Sequence, residues 1–379
     1  MIIFLLTIVS IYGAVHVYAF LKVRAAFHLE PAAAAALALF MAFMTFAPLL
    51  VRVLERHEFE LPARLAACIG YTWMGTIFLF FSLSLTVDLY RLFIDLAGHI
   101  LGRDLSAFAP AARFAFLVPL CLALVLSIYG YREAIHIRTE HITVETDKLP
   151  EGTPRIRVVQ LSDVHLGIIV REKRLKCILE AVKKADPDII VSTGDLVDGQ
   201  IDNLAGPARM FEQVRPRYGK YSVTGNHEFY AGLNNSLEFM TRAGFTVLRA
   251  EAVTIDGLVT IAGVDDPTGK QMGLHKTVPE REMLSKLPQQ QFTILLKHPP
   301  TIAEGSEGLF DLQLSGHTHR GQIFPFGLLV KCFFPRISGW YELPAGGHLY
   351  VSRGTGTWGP PMRLLSPPEI TVIDLTASS

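Results

Sequence analysis

Arg157-Val158-Val159-Gln160-Leu161-Ser162-Asp163-Val164-His165 is an apolar run that ends in an Asp and a His two residues apart. Residues 157–161 read as a buried strand, and the two polar residues follow where a loop can carry chemistry on a rigid support. If the chain stays extended there, both side chains point to one side. The same grammar repeats downstream. Asp188–Thr193 is followed by Gly194-Asp195-Leu196-Val197-Asp198, and Tyr221–Thr224 by Gly225-Asn226-His227-Glu228. Phe292–Lys297 is followed by His298, and Leu312–Ser315 by Gly316-His317-Thr318-His319.

Further strands are expected at Leu258–Ala262, Leu349–Ser352 and Glu369–Leu375, and a helix at Glu172–Lys184. Apolar runs bounded by Gly, Pro and Asp fit buried strands, and their alternation with amphipathic stretches predicts an α/β sandwich of sheet layers covered by helices. Five loops that converge at one sheet edge can assemble a metal site that no single segment builds. Carboxylate, amide oxygen and imidazole donors suit Mn²⁺, Fe or Zn²⁺, and the lack of thiolates argues against a structural zinc. Asp265 and Asp266, after the 258–262 strand, either support this site or form a plain turn.

Taken together, D-x-H at 163–165, G-D-x-x-D at 194–198, G-N-H-[ED] at 225–228, His298 and G-H-x-H at 316–319 resemble the calcineurin-like metallophosphoesterase superfamily across roughly residues 153–376. The resemblance implies a four-layer α/β/β/α sandwich with two divalent metals at the strand ends, Mn²⁺ first among them. It implies Asp163, His165 and His319 as ligands of the first metal and Asn226, His298 and His317 as ligands of the second, with Asp195 bridging both. His227 resembles the catalytic histidine that contacts phosphate or protonates the leaving oxygen, and Asp198 and Glu228 resemble partners that orient histidines and backbone. Such a division has a physical reason. Two cations about 3.5–4 Å apart repel, so a shared carboxylate is expected. Together they lower the pKa of water from about 15.7 towards 7 and supply a bridging hydroxide for in-line attack on phosphorus.

Gly316–Ile323, Val351-Ser352-Arg353-Gly354-Thr355-Gly356, Arg363 and Pro368-Glu369-Ile370 are similar to the membrane-tethered phosphodiesterase branch, which includes UDP-2,3-diacylglucosamine pyrophosphatase-like enzymes. Arg320, which stands where many relatives have Gly, joins Arg353 and Arg363 as candidate substrate-binding residues. The latter two either clamp a phosphate bidentately or form surface salt bridges.

Upstream the composition changes. Residues 1–132 carry nine Lys/Arg and seven Asp/Glu, while residues 133–379 carry 26 and 28. Four runs, 2–21, 32–51, 65–87 and 113–131, reach the roughly 20 residues a helix needs to cross a bilayer. No charge precedes Lys22, so the first run lacks the basic start of a signal peptide. The expected organisation is a transmembrane region at 1–132, a connecting segment at 133–152 and the catalytic domain at 153–379. Lys22, Arg24, Arg91, Arg103 and Arg113 on one set of loops balance Arg52, Arg56, Arg64, Arg132 and Arg138 on the other, so the positive-inside rule sets no orientation. We expect a multi-pass protein of a bacterial inner membrane with its catalytic domain in the cytoplasm. His16, inside the first run, reads as a helix-packing histidine, and Cys68, Cys121, Cys177 and Cys332 read as free thiols. The balance of 35 basic against 35 acidic residues argues against broad nucleic-acid affinity, and no nucleic-acid partner is expected.

One segment links the two halves of the reading. Phe324-Pro325-Phe326-Gly327-Leu328-Leu329-Val330-Lys331-Cys332-Phe333-Phe334-Pro335 directly follows the last metal motif. It suits an interfacial element dipping into lipid headgroups, a core strand or a lid. The favoured expectation is a phosphohydrolase of a lipid-linked phosphodiester or pyrophosphate, with membrane lipids as partners. Two alternatives stand beside it: a tethered phosphodiesterase of soluble or cyclic nucleotides, and a metal-binding sensor for the membrane region. The oligomeric state is not legible in the sequence.

Overall fold

The alternating strands build two six-stranded sheets in the computed structural model, which describes residues 2–153, 155–199, 204–276 and 278–378, without the side chains of residues 2–5 and 8. The first sheet holds β1 (Arg138–Thr146), β2 (Ile156–Leu161), β3 (Ile189–Ser192), β4 (Lys220–Ser222), β5 (Thr246–Val247) and β12 (Glu369–Ala377). Its spatial order is β1-β12-β2-β3-β4-β5, with β2 to β5 parallel and β12 antiparallel to β2. The second holds β6 (Glu251–Ile255), β7 (Val259–Gly263), β8 (Phe292–Leu296), β9 (Leu312–Ser315), β10 (Gly339–Glu342) and β11 (His348–Val351). Here the order is β10-β11-β9-β8-β7-β6, with β7, β8, β9 and β11 parallel between antiparallel edges.

Alternation along the strands sorts their side chains between cores. Ile156 and Val158 of β2, Ile189 and Val191 of β3, and Ile373 and Leu375 of β12 pack with Val259, Ile261, Ile294, Leu312 and Leu314 of the second sheet. The intervening Val159, Leu161, Ile190, Ile370 and Val372 pack against the helices α5 (Glu172–Lys184), α6 (Ala205–Glu212) and α8 (Leu233–Arg242). The short α7 (Asn226–Tyr230) follows β4. On the far side of the second sheet, Ala262, Leu295, Leu349 and Val351 pack against Met283 and Leu284 of α10 (Glu280–Leu284), which follows α9 (Pro267–Gln271).

The expected connector at 133–152 is different in the structure: it contributes β1, paired in parallel with β12 from Arg138↔Glu369 to Thr146↔Ala377. Its sequence, Arg-Thr-Glu-His-Ile-Thr-Val-Glu-Thr, buries only Val144. An edge strand needs little apolar character, so its hydrophobic signal is weak.

The chain forms two compact units, Met1–Arg132 with Gly359–Met362, and Glu133–Trp358 with Arg363–Ser379. The first contains α1 (Ile2–Ala26), α2 (Pro31–Arg56) and α3 (Glu60–Leu101), and most of α4 (Ala112–Ile135). Among the described residues, three helical stretches, Pro31–Arg56, Glu60–Leu101 and Ser106–Ile135, are long and apolar enough to cross a membrane. Large apolar side chains such as Leu39, Ile69, Phe114 and Ile128 point outwards from them, as a lipid-facing surface requires. The expected span 2–21 falls on α1 and lies partly outside the described side chains. The expected span 65–87 lies inside a longer helix. With no Pro beyond Pro62 in its first turn and no stop signal before Gly102, α3 runs for 42 residues and ends at that glycine's left-handed cap, φ 63°. At about 1.5 Å per residue it is roughly 63 Å long, twice the hydrocarbon thickness. His16 is held at both nitrogens: Nδ1 donates to the Tyr12 carbonyl at 2.8 Å, and Trp73 Nε1 donates to Nε2 at 2.9 Å. Lys22 and Tyr18 of α1 both engage Asp88 of α3.

Candidate metal centre

The polar loops all leave the carboxyl ends of parallel strands, the usual place for ligands in such sheets. Asp163 and His165 follow β2, Asp195 follows β3, Asn226 and His227 follow β4, His298 follows β8, and His317 and His319 follow β9. Asp163, His165, Asp195, His317 and His319 have φ of 51°, 52°, 51°, 71° and 47°. A left-handed backbone costs a non-glycine residue about 1–3 kcal/mol and persists only where its surroundings enforce it. Backbone bonds provide part of that enforcement: Asp163 N–H donates to the Gly194 carbonyl and His165 N–H to the Asp195 carbonyl, both at 3.0 Å. The motif glycines are needed for close approach. A Cβ on Gly225 would lie 2.2 Å from Asp195 Oδ1, and one on Gly316 would lie 2.2 Å from Asp163 Oδ2.

The donor atoms form overlapping groups. Asp163, His165 and His319 make one, His165, Asp195 and His227 a second, and Asp195, His298 and His317 a third, each within 4.8 Å. His319 Nε2 lies 3.1 Å from His165 Nε2 and 3.2 Å from Asp163 Oδ1. His317 Nδ1 lies 3.1 Å from both His298 Nε2 and Asn226 Oδ1, and His298 Nε2 lies 3.2 Å from Asn226 Oδ1. Ligands about 2.0–2.1 Å from a shared ion are separated by about 3.0–3.4 Å, so these spacings match the edges of coordination polyhedra. Asp195 Oδ2 lies 3.2 Å from His298 Nε2 and 3.8 Å from His165 Nε2, and so faces both clusters. His298 Nδ1 donates to the Thr193 carbonyl at 2.8 Å, leaving the Nε2 lone pair for an ion. The donor chemistry therefore fits two divalent ions.

Glu228 is fully buried and accepts backbone N–H groups from Asp195, Leu196, Val197 and Gly225 at 2.6–3.2 Å, stitching two ligand loops together. Burial, reinforced by the charge of Asp195, pushes its carboxyl up to about 7. Asp198 Oδ1 accepts from His227 Nδ1 at 2.8 Å. Burial alone would lower the His227 pKa, but the charge of Asp195 and the bond to Asp198 outweigh it and push it up to about 9. His165 moves the other way, down to about 3, through burial and the neighbouring His227. Asp265 accepts from the Thr224 hydroxyl and pairs with Arg249, while Asp266 donates its N–H to the Thr224 hydroxyl and caps α9 through its side chain.

The three arginines separate. Arg320 is exposed on the turn after His319, at φ 51°. Arg363 is fully buried and donates to the carbonyls of Gly356, Arg353 and Ser366, with Nη2 3.1 Å from His319 Nδ1. Arg353 pairs with Glu140 and Glu369. Of the two alternatives left open by the sequence, these contacts favour ion pairing for Arg353, while the Arg363 guanidinium is engaged by carbonyls inside the protein. Three aromatic neighbours were not legible in the motifs. Tyr230 and Trp358 lie 5.6 and 5.8 Å from the His227 ring, and Phe334 lies 5.0 Å from the His317 ring. Only Tyr230 carried a signal, three residues after His227 on α7.

The calcineurin-like phosphoesterase family matches this chain over residues 156–321, the stretch that holds every one of these candidate ligands. An uncharacterized metallophosphoesterase of Aquifex aeolicus is 44% identical over 255 residues, 67% of this chain and 97% of the relative. The chain belongs to the metallophosphoesterase family. A "transmembrane protein with metallophosphoesterase domain" of Danio rerio is 33% identical over 73% of this chain and 67% of its own length. An uncharacterized metallophosphoesterase of Campylobacter jejuni is 31% identical over 80% of this chain and 82% of its own. This metallophosphoesterase is accordingly a metal-dependent phosphoester hydrolase with membrane-associated apolar helices.

Proposed function

We propose that the chain is a membrane-anchored, two-metal phosphohydrolase that cleaves a lipid-linked phosphodiester or pyrophosphate. The observation that carries the reading is the sharing of Asp195 between two clusters whose donor atoms already stand at coordination spacing. Asp163, His165 and His319 would hold one ion and Asn226, His298 and His317 the other, with Asp195 between them. Two divalent ions, Mn²⁺ by preference for this oxygen and nitrogen set, would supply an activated water and neutralise charge on the phosphoryl oxygens. His227, held protonated against Asp198, would give its proton to the leaving oxygen. Asp198 and Glu228 would orient the histidine and the ligand loops, and exposed Arg320 would meet the substrate phosphate. The three cores support a four-layer α/β/β/α arrangement.

The lipid part of the reading rests on α11 (Phe326–Phe333), the helix that immediately follows the metal loops. None of its residues is buried, and Phe326, Leu328, Leu329 and Phe333 are exposed. No acidic residue lies between Asp311 and Glu342, while Arg320, Lys331 and Arg336 do, a balance suited to a lipid headgroup layer. The apolar helices, α1 included, would make the protein multi-pass. Exposed free thiols at Cys177 and Cys332 favour the reducing, cytoplasmic side for the catalytic unit. The test is direct: purified full-length protein should hold two Mn²⁺ per chain by elemental analysis and hydrolyse lipid phosphoesters in a panel that also contains nucleotide and cyclic-nucleotide phosphoesters. Activity confined to soluble nucleotides would replace the lipid reading with that of a tethered nucleotide phosphodiesterase.

A further inference from the structure

His227 is nearly buried, yet two of its ring neighbours are not. Tyr230 and Trp358 each leave 54% of their surface exposed. They meet the imidazole at interplanar angles of 72° and 74°, so His227 touches them steeply and does not cover their faces. The backbone at Trp358 is held in place. Its N–H donates to Gln322 Oε1 at 3.0 Å, and Gln322 Nε2 donates back to the Trp358 carbonyl at 2.9 Å. Gln322 lies three residues after His319, at φ 55°, so the tryptophan is tied to the metal loop itself. Tyr230 is fixed differently, one turn along α7 from His227. Large aromatic faces held open to water by a rigid backbone are unfavourable for folding and favourable for binding, because the ordering is already in place.

We propose that Trp358 and Tyr230 form a leaving-group subsite that takes a flat aromatic ring, aryl or nucleobase, beside His227. The inference rests on the reading of His227 as the leaving-group acid, and it names the chemistry on that side of the scissile bond. Stacking needs only a π-face, so the subsite would select ring shape without reading a particular base.

The test compares two phosphodiesters whose leaving groups have similar acidity, one p-nitrophenyl and one fluoroalkyl, with Mn²⁺-loaded full-length protein. Trp358→Ala should lower the ratio of kcat/KM for the aryl over the fluoroalkyl diester by about tenfold, the lower part of what one base–aromatic stack contributes. Trp358→Phe should recover most of it, with metal content equal in all forms. An unchanged ratio, or equal losses on both diesters, would overturn the subsite and leave Trp358 as mere packing for His227. If the wild type cleaves neither diester, the parent reading fails, and saturation-transfer NMR still decides the subsite. Base protons of a nucleoside 5′-monophosphate should then receive magnetisation from the wild type and lose it in Trp358→Ala, with ribose 5-phosphate as the ring-free control. Absence of transfer to the base in the wild type would also reject it.

Discussion

Gly316–Gln322 buries every residue except His317 and Arg320 and bends five of its seven residues into positive φ. Phe324–Pro335, which begins two residues later, buries none of its helix and exposes five large apolar side chains. The far end of the second stretch returns to the first. Phe334 lies against the His317 ring, and Thr318 Oγ1 donates to the Ile337 carbonyl at 2.7 Å. A strained floor and an uncovered apolar rim therefore belong to one continuous piece of chain. The contrast separates two kinds of constraint. In the floor, position is enforced by bonds that run between loops, so chemistry should fail when a single atom changes. In the rim, no residue of α11 is buried, so changes in its exposed apolar side chains should leave the chemistry intact and alter only what reaches it.

The most damaging change predicted for the floor is Asp195→Asn. It weakens both clusters through one residue, and activity should fall by roughly two orders of magnitude or more. Elemental analysis should show metal content falling with rate. Full activity with two metals per chain would break the assignment of a shared carboxylate.

His227 tests the floor from the proton side. His227→Ala should keep both metals while turnover falls by about 10²-fold, and by less for acidic leaving groups such as nitrophenol. Its pH dependence has a definite sign. A histidine raised from 6.5 to about 9 is protonated below that value, so kcat/KM should decline as pH rises through about 9. The same shift contributes stability that is complete below about 6.5 and is lost as pH rises through about 9. Asp198→Asn removes the bonded carboxylate and should move the alkaline limb to lower pH, and His227→Ala should abolish it. A limb unmoved by either change would assign the proton to another group.

The same contrast explains what could be read in advance. The candidate ligands that the fold brings together were legible because metal chemistry restricts residue type, and each stood at the end of an apolar run. β1 was missed because an edge strand beside β12 buries only Val144. The end of α3 was missed because hydropathy reports where lipid stops, while the helix continues until Gly102. For Arg353 and Arg363 the sequence leaves a phosphate clamp and an ion pair open for a reason of another kind. A guanidinium near a metal motif has the same sequence signature whether it faces substrate or, like Arg363, four protein acceptors in the interior. Trp358 reaches His227 only through the fold, 131 positions along the chain.

The rim supplies the smallest expected effect and the sharpest test of the comparison. Phe326, Leu329 and Phe333 are 44%, 52% and 74% exposed, and none packs in a core that their loss would empty. Burying such side chains in a bilayer interface would contribute at most about 1.5–3 kcal/mol each, and less where burial is partial. Replacing all three with Ser should therefore reduce hydrolysis of a bilayer-embedded phosphoester by about tenfold while a small soluble phosphodiester is cleaved at close to the wild-type rate. The N-terminal helices still hold the protein in the membrane, so the difference reports presentation of substrate and not attachment. Equal losses on both substrates would mean that the helix shapes the floor after all, and the separation between the two stretches would fail. If neither rate changes, the rim is idle and the lipid reading loses its main support, since the metal chemistry itself does not distinguish a lipid phosphate from a soluble one.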